Sequence, residues 1–276
     1  MLLLALDTST RQASIALCTE ETLLGEYTWQ VGNNHSVELL ERIQRLVAEG
    51  GFDMSAIEAV AVATGPGSFN GLRVAVATSK ALAFSLGLPL IGVSTLDIIA
   101  AHQRQWRGPT CALLEAGRSE LYAACYLFDA VAESHVLTHS MRRLSDYLLD
   151  SPQQLALFLL EHLREWVGVP GKRLLPDVLF CGEVSEASRQ ALMQELPANS
   201  LFLTPLQSAR HASVLAALAF ERLQSGVLDD PLQLEPLYLR RPSITTSTRK
   251  QPLLGAKTHR SSELVSTERE EGALQH

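Results

Sequence analysis

Residues 64–73 read Thr-Gly-Pro-Gly-Ser-Phe-Asn-Gly-Leu-Arg, and no other stretch constrains the fold as much. An apolar run, Ala59–Thr64, leads in, and a helix-forming run, Arg73–Leu86, leads out. A strand, a Gly-rich turn and a helix N-terminus together aim backbone N–H groups at an anion or at another backbone. Pro66 fixes one φ angle, while Gly65 and Gly67 open angles that other residues resist, so the turn is rigid. Gly65, Gly67, Ser68, Gly71 and Arg73 make this a candidate site. Tight packing and ligand binding both satisfy the pattern. Ser68 reads as the cap of the following helix. Arg73 has two readings, a partner for Asp7 or a holder of an anion at the helix start.

The second candidate site lies at the N-terminus. Leu2–Leu6 is a short apolar run, followed by Asp7-Thr8-Ser9-Thr10 and a second strand-like run, Ala13–Cys18. A carboxylate and hydroxyls on a hairpin suit a metal-bound phosphate, and they also suit plain turn chemistry. Leu23–Trp29 adds a third strand, with connections short enough for antiparallel pairing. Val37, Leu40, Ile43, Leu46 and Val47 then recur at helical spacing. The next helix, about Leu72–Leu86, carries apolar side chains nearly all round, including Val74, Ala77 and Ala81 beside Thr78. Such a helix is buried on most sides, by its own core or by another chain. A fifth strand at Leu90–Val93 and a helix at Thr95–Gln103 complete a first α/β lobe over residues 1–105. Arg107-Gly108-Pro109 reads as a hinge. Residues 106–205 form a second lobe of similar element order, and the helix Ser213–Gln224 packs back on the first. Residues 242–276 are polar and aperiodic, which predicts a disordered tail.

Composition narrows the function. The 276-residue chain carries a formal net charge of −7, a poor match for the polyanionic backbone of RNA. Any contact with nucleic acid is expected to run through a partner. Cys18, Cys111, Cys125 and Cys181 form no C-x-x-C pair and sit in or beside apolar runs, as free thiols of a cytoplasmic protein would. No apolar run approaches the ~20 residues of a membrane span.

Several chemistries find no footing. His135 and His139 have a four-residue spacing but no third ligand nearby. No P-loop or nucleophile elbow occurs. The strand after the Gly-rich turn ends Leu-Ile-Gly-Val-Ser, without the acidic residue of a dinucleotide site. Phe180-Cys-Gly-Glu183 is the one weak candidate for a second phosphate loop.

Taken together, Asp7-Thr8-Ser9, the Gly-Pro-Gly turn, Gly92-Val93-Ser94-Thr95-Leu96, Glu115–Tyr122 and Glu235–Arg240 resemble the TsaB family, also called YeaZ. The likeness covers roughly residues 1–241. It implies an α/β, actin-like (Hsp70-like, ribonuclease H-like) ATPase fold and a part in making threonylcarbamoyladenosine (t6A) beside the tRNA anticodon. By resemblance this is a noncatalytic subunit that binds a TsaD-like catalytic subunit, alongside a TsaE-like ATPase. The resemblance also allows homodimers through the same surface when the partner is absent. The expected partner surface is Val37, Leu40, Ile43 and Leu46 on one helix and Val74, Ala77, Thr78 and Ala81 on the next. Asp7, Thr8 and Ser9 become a degenerate phosphate loop. Two metal-binding histidines of TsaD subunits align with Thr95 and Ile99, neither a good ligand. No catalytic residue, metal or cofactor is therefore expected on this chain alone, with ATP and a metal on the partner complex. Glu115, Gly117 and Asn70 depart from the family's usual residues. The alternative is an enzyme in its own right, an actin-fold kinase or a glycoprotease-like hydrolase.

Overall fold

The computed structural model describes residues 1–31, 35–133, 136–166, 177–196 and 200–240. The first sheet is built from β1 (Leu3–Asp7), β2 (Gln12–Cys18), β3 (Leu23–Gln30), β4 (Ala59–Gly65) and β5 (Leu90–Ser94). Its order is β3-β2-β1-β4-β5. The first three strands pair antiparallel and β1, β4 and β5 pair parallel. Helices α1 (His35–Glu49), α2 (Phe69–Leu86) and α3 (Thr95–Ala101) fall between and after these strands, the element order that an actin-like lobe requires.

Period-two alternation decides which helices cover which face. Leu4, Leu6, Val60 and Val62 meet Leu39, Ile43 and Leu46 of α1 and Ala75, Val76 and Ala83 of α2. Leu3, Ala5, Ala59, Ala61 and Ala63 point the other way, to α6 (Ala212–Gln224). The alanines let α6 lie close on β4. The helix thus returns from the far end of the chain to the first sheet.

The second sheet contains β6 (Thr110–Gly117), β7 (Glu120–Glu133), β8 (Val136–Arg143), β9 (Leu148–Asp150), β10 (Val178–Glu183) and β11 (Ser200–Phe202). Read as β8-β7-β6-β10-β11 it repeats the first sheet, with three antiparallel strands followed by two parallel additions. α4 (Pro152–Trp166) and α5 (Glu186–Glu195) pack on it. Between the sheets, Leu96, Ile99 and Ala100 of α3 join Leu114, Ala124 and Tyr126 in a shared core. Residues 1–241 form one compact unit. The expected disordered tail, 242–276, lies outside the described residues.

The four cysteines do not all stay free thiols. Cys111 and Cys125 face each other across β6 and β7, their Cα atoms 4.4 Å apart, and are joined as a disulfide. Their register across the hairpin is what brings them together. Cys18 and Cys181 are free and buried.

Candidate functional site

The Gly-rich turn and the Asp7 hairpin are packed onto each other. Ser68 N–H donates to Ser9 O at 2.6 Å, and Thr8 Oγ1 donates to Gly71 O at 2.7 Å. A Cβ on Gly67 would collide with Ser9 O, and one on Gly71 with Thr8 O. The glycines therefore serve close backbone approach. Gly65, at φ +107, lies under Leu72 and against Leu237 O. Ser68 caps α2, accepting from Gly71 N–H at 3.3 Å. Arg73 does not pair with Asp7: it is exposed and lies over the Phe69 ring, 5.1 Å from its centroid.

Asp7 is instead paired with Arg210, just upstream of α6. Arg210 Nε donates to Asp7 Oδ2 at 2.9 Å, and each side chain is 1% exposed. The guanidinium also donates to Glu183 Oε1, to Thr10 Oγ1 at 2.8 Å and to Gln12 O at 2.6 Å. The other oxygen of Asp7 accepts from Ser9 N–H at 2.9 Å and from the Ser9 hydroxyl. Burial alone would lower the Arg210 pKa, but Asp7 and Glu183 outweigh it and hold it above its ordinary value.

Beside this network lies a cleft of about 860 Å³ at the carboxyl ends of β6, β10 and β11. Tyr122, Phe180 and Phe202 line its apolar side, and Gly67, Ser68 and Arg11 face them from the first sheet. Phe180-Cys-Gly-Glu183, the candidate second phosphate loop, is the end of β10. Gly182 (φ +117) packs against the Leu113 backbone and Glu183 is spent on Arg210. The metal-bound nucleotide of an actin-like ATPase does not fit these residues. The Asp7 carboxylate and the hydroxyls of Thr8, Ser9 and Thr10 already have partners inside the chain.

The two expected partner helices divide into inner and outer faces. Ile43 and Leu46 are buried in the chain's own core, so they are not surface, and Leu39, which the sequence reading did not single out, packs beside them. Leu40 points outward at 47% exposure. On α2, Ala77 and Ala81 are exposed, Val74 and Thr78 half-buried. Phe84 continues that outer line at 78% exposure. Val37 lies in the first turn of α1, and its side chain is outside the described residues.

Thr95 and Ile99, at the positions of the TsaD histidines, are buried on α3. His139 lies on strand β8 opposite Ala130, and His135 is outside the described residues. Among the described residues no group of three or more His, Cys, Asp or Glu is gathered as a metal ion would need. Nor is any described helix long and apolar enough to cross a membrane.

Comparison with known proteins places this geometry. The TsaB protein of Bacillus subtilis is 32% identical over 240 residues, covering 87% of this chain and 94% of that protein. The chain belongs to the TsaB family. TsaB of Escherichia coli is 35% identical over 133 residues, 47% of this chain and 56% of that one. YeaZ from Pseudomonas aeruginosa superposes with a TM-score of 0.66 at 28% identity, over 86% of this chain and 99% of that one. The family model described as TsaD, tRNA N6-adenosine threonylcarbamoyltransferase, matches residues 29–247.

Sequence reasoning missed Arg210, the residue that organises this TsaB-family cleft. It sits in Gln-Ser-Ala-Arg-His-Ala, a segment without periodicity or motif. Its partners lie 27 and about 200 positions away, so nothing local marks it.

Proposed function

We propose that this chain is a noncatalytic subunit for t6A formation in tRNA and acts by binding a TsaD-like catalytic subunit through the outer faces of α1 and α2. The observation that carries the reading is the line Ala77, Ala81 and Phe84 on α2, with Leu40 on the neighbouring helix. Small residues let a partner helix approach closely, and burying Phe84 is worth roughly 1.5–3 kcal/mol. A stable interface needs roughly 1,200–2,000 Å² in total, which two helices and their flanks can supply. A second copy of the chain would use the same face when the partner is absent.

The chemistry is assigned to the partner complex. ATP and metal belong to the TsaD-like subunit and a TsaE-like ATPase, and tRNA is met only through the complex. The kinase alternative would need Asp7 free, and Asp7 is bound to Arg210.

Ala77→Arg and Ala81→Arg test the reading. Both positions are exposed, so both variants should fold by circular dichroism. Each strands a charge in the interface, a cost of several kcal/mol, or on the order of a thousandfold in affinity. Co-purification with the TsaD-like subunit and t6A in cellular tRNA should both fall. Folded variants that bind normally and support t6A would defeat it.

A further inference from the structure

The misfit between the Asp7 corner and a metal-bound phosphate has a specific cause. Four oxygens converge there: Asp7 Oδ2 from β1, Thr10 Oγ1 and Gln12 O from the hairpin, and Glu183 Oε1 from the end of β10. Two carboxylates, a hydroxyl and a carbonyl are the donor set of a hard divalent cation. Arg210 fills the centre of that set. We infer that Arg210 is a tethered cation standing where a divalent cation would stand, so that the cleft excludes metal–nucleotide complexes and the two sheets are locked at one opening without any ligand.

The mounting of Arg210 supports the lock. Its own N–H donates to Gln12 Oε1 at 3.3 Å, and Ala212 N–H donates to Ser14 Oγ at 3.0 Å. Glu26 on β3 accepts from Ser213 N–H at 2.9 Å and meets His211 Nδ1 at 3.0 Å. Residues 210–213 are thus stitched to the first sheet, while the guanidinium reaches Glu183 of the second. A guanidinium stays charged at any working pH and presents its donors as a planar fork, so one side chain can hold acceptors on two sheets at once. A buried charge paired in this way is expensive to leave half-made, which gives the closed arrangement a single preferred geometry. The inference concerns the chain alone and stands whether or not the partner reading does.

The test uses the full chain, spin-labelled at Glu20→Cys and Gln190→Cys, one exposed site on each sheet's side. Double electron–electron resonance reads the opening, and the Mn²⁺ electron paramagnetic resonance signal reads cation binding. The parent should give one narrow distance and bind no Mn²⁺ at 1 mM. Arg210→Ala should broaden the distance and bind one Mn²⁺ per chain with a dissociation constant below about 1 mM, and the bound ion should narrow the distance again. Adding Asp7→Asn to Arg210→Ala should abolish that binding. Mn²⁺ binding by the parent, an unchanged distance in Arg210→Ala, or no Mn²⁺ on Arg210→Ala would each overturn the proposal. Should Arg210→Ala fail to fold, Arg210→Lys carries the test. It keeps the charge without the fork, so it must exclude Mn²⁺ and broaden the distance. A lysine variant that binds Mn²⁺, or that matches the parent distance, overturns it.

Discussion

Asp97 on α3 and Tyr126 on β7 meet across the junction of the two sheets, with the tyrosine hydroxyl donating to Asp97 Oδ1 at 2.7 Å. Tyr147 adds bonds of 3.1 and 3.2 Å to the two oxygens of the same carboxylate. Burial raises the Asp97 pKa above its ordinary range, and the two tyrosines with Arg143 and Arg222 only partly pull it back. The folded chain therefore holds this proton more tightly than the unfolded chain. The resulting stability is fully present below the ordinary value of about 3.9 and is lost as pH rises through the raised one. Asp97→Asn removes the titration. Urea unfolding should find the variant weakest relative to wild type near pH 4 and recovering toward it, or past it, at pH 7.5. A deficit that grows with pH would contradict the sign of the shift.

Gly71→Ala tests whether the Gly-rich turn is packing rather than a ligand cradle. The new methyl meets the Thr8 carbonyl, a backbone atom that no rotamer change can move aside. Overpacking of this kind costs about 1–3 kcal/mol. Thr8→Val, which deletes the hydroxyl donor to Gly71 O, should cost about 1 kcal/mol. Urea midpoints decide it: Gly71→Ala within 0.5 kcal/mol of wild type would mean that the turn has slack.

These contacts mark the limit of what the sequence discloses. Strands such as Ala59–Gly65 are legible because an unbroken apolar run of that length fits a strand buried on both faces. The start of α2 is legible from Ser68. The facing of α1 is not, because Leu39 and Leu40 both fit helical spacing to Ile43, at four and three residues, and only packing chooses Leu39. The Cys111–Cys125 pairing depends on a hairpin register that composition does not encode. Within the site, the hairpin and the turn stood out as separate motifs, yet their mutual contact and Arg210 depend on long-range folding.

Cys18 and Cys181 should be chemically silent in the folded chain. Burial, then Glu26, pushes the Cys18 thiol up to about 11, and burial pushes Cys181 up to about 12. Against an ordinary thiol near 8.5, the reactive thiolate at pH 8 is more than about a hundredfold rarer at either site. N-ethylmaleimide with mass spectrometry should leave both unlabelled in native protein and label both in urea. Rapid native labelling of Cys181 would show that the β10 end of the cleft opens.

The segment from Val227 to Arg240 has no regular structure but is pinned along its length, which predicts opposite outcomes for two truncations. Asp229 N–H donates to Leu90 O at 3.0 Å, and Asp229 Oδ2 accepts from Gly92 N–H at 2.8 Å, covering the edge strand β5. Leu237 N–H donates to Thr64 O at 2.7 Å, and Lys80 Nζ donates to Leu234 O at 3.1 Å. Leu234 packs on the core that the first sheet forms with α1 and α2, and Tyr238 meets the Phe69 ring in a tilted pair with centroids 5.3 Å apart. Arg240 then reaches Ala116 O of the second sheet at 3.1 Å. Ending the chain after Gly226 removes all of this and bares β5, whose unpaired N–H and C=O groups would template aggregation. The lost bonds and burial should cost on the order of 3–5 kcal/mol and lower the soluble yield. Ending the chain after Arg241 removes only residues 242–276, whose composition buries little. That deletion should stay within about 0.5 kcal/mol of full length. Thermal melts of the two truncations beside the full chain separate the cases. Equal melting after Gly226 would mean that the segment is dispensable, and a large loss after Arg241 would mean that the tail docks on the fold.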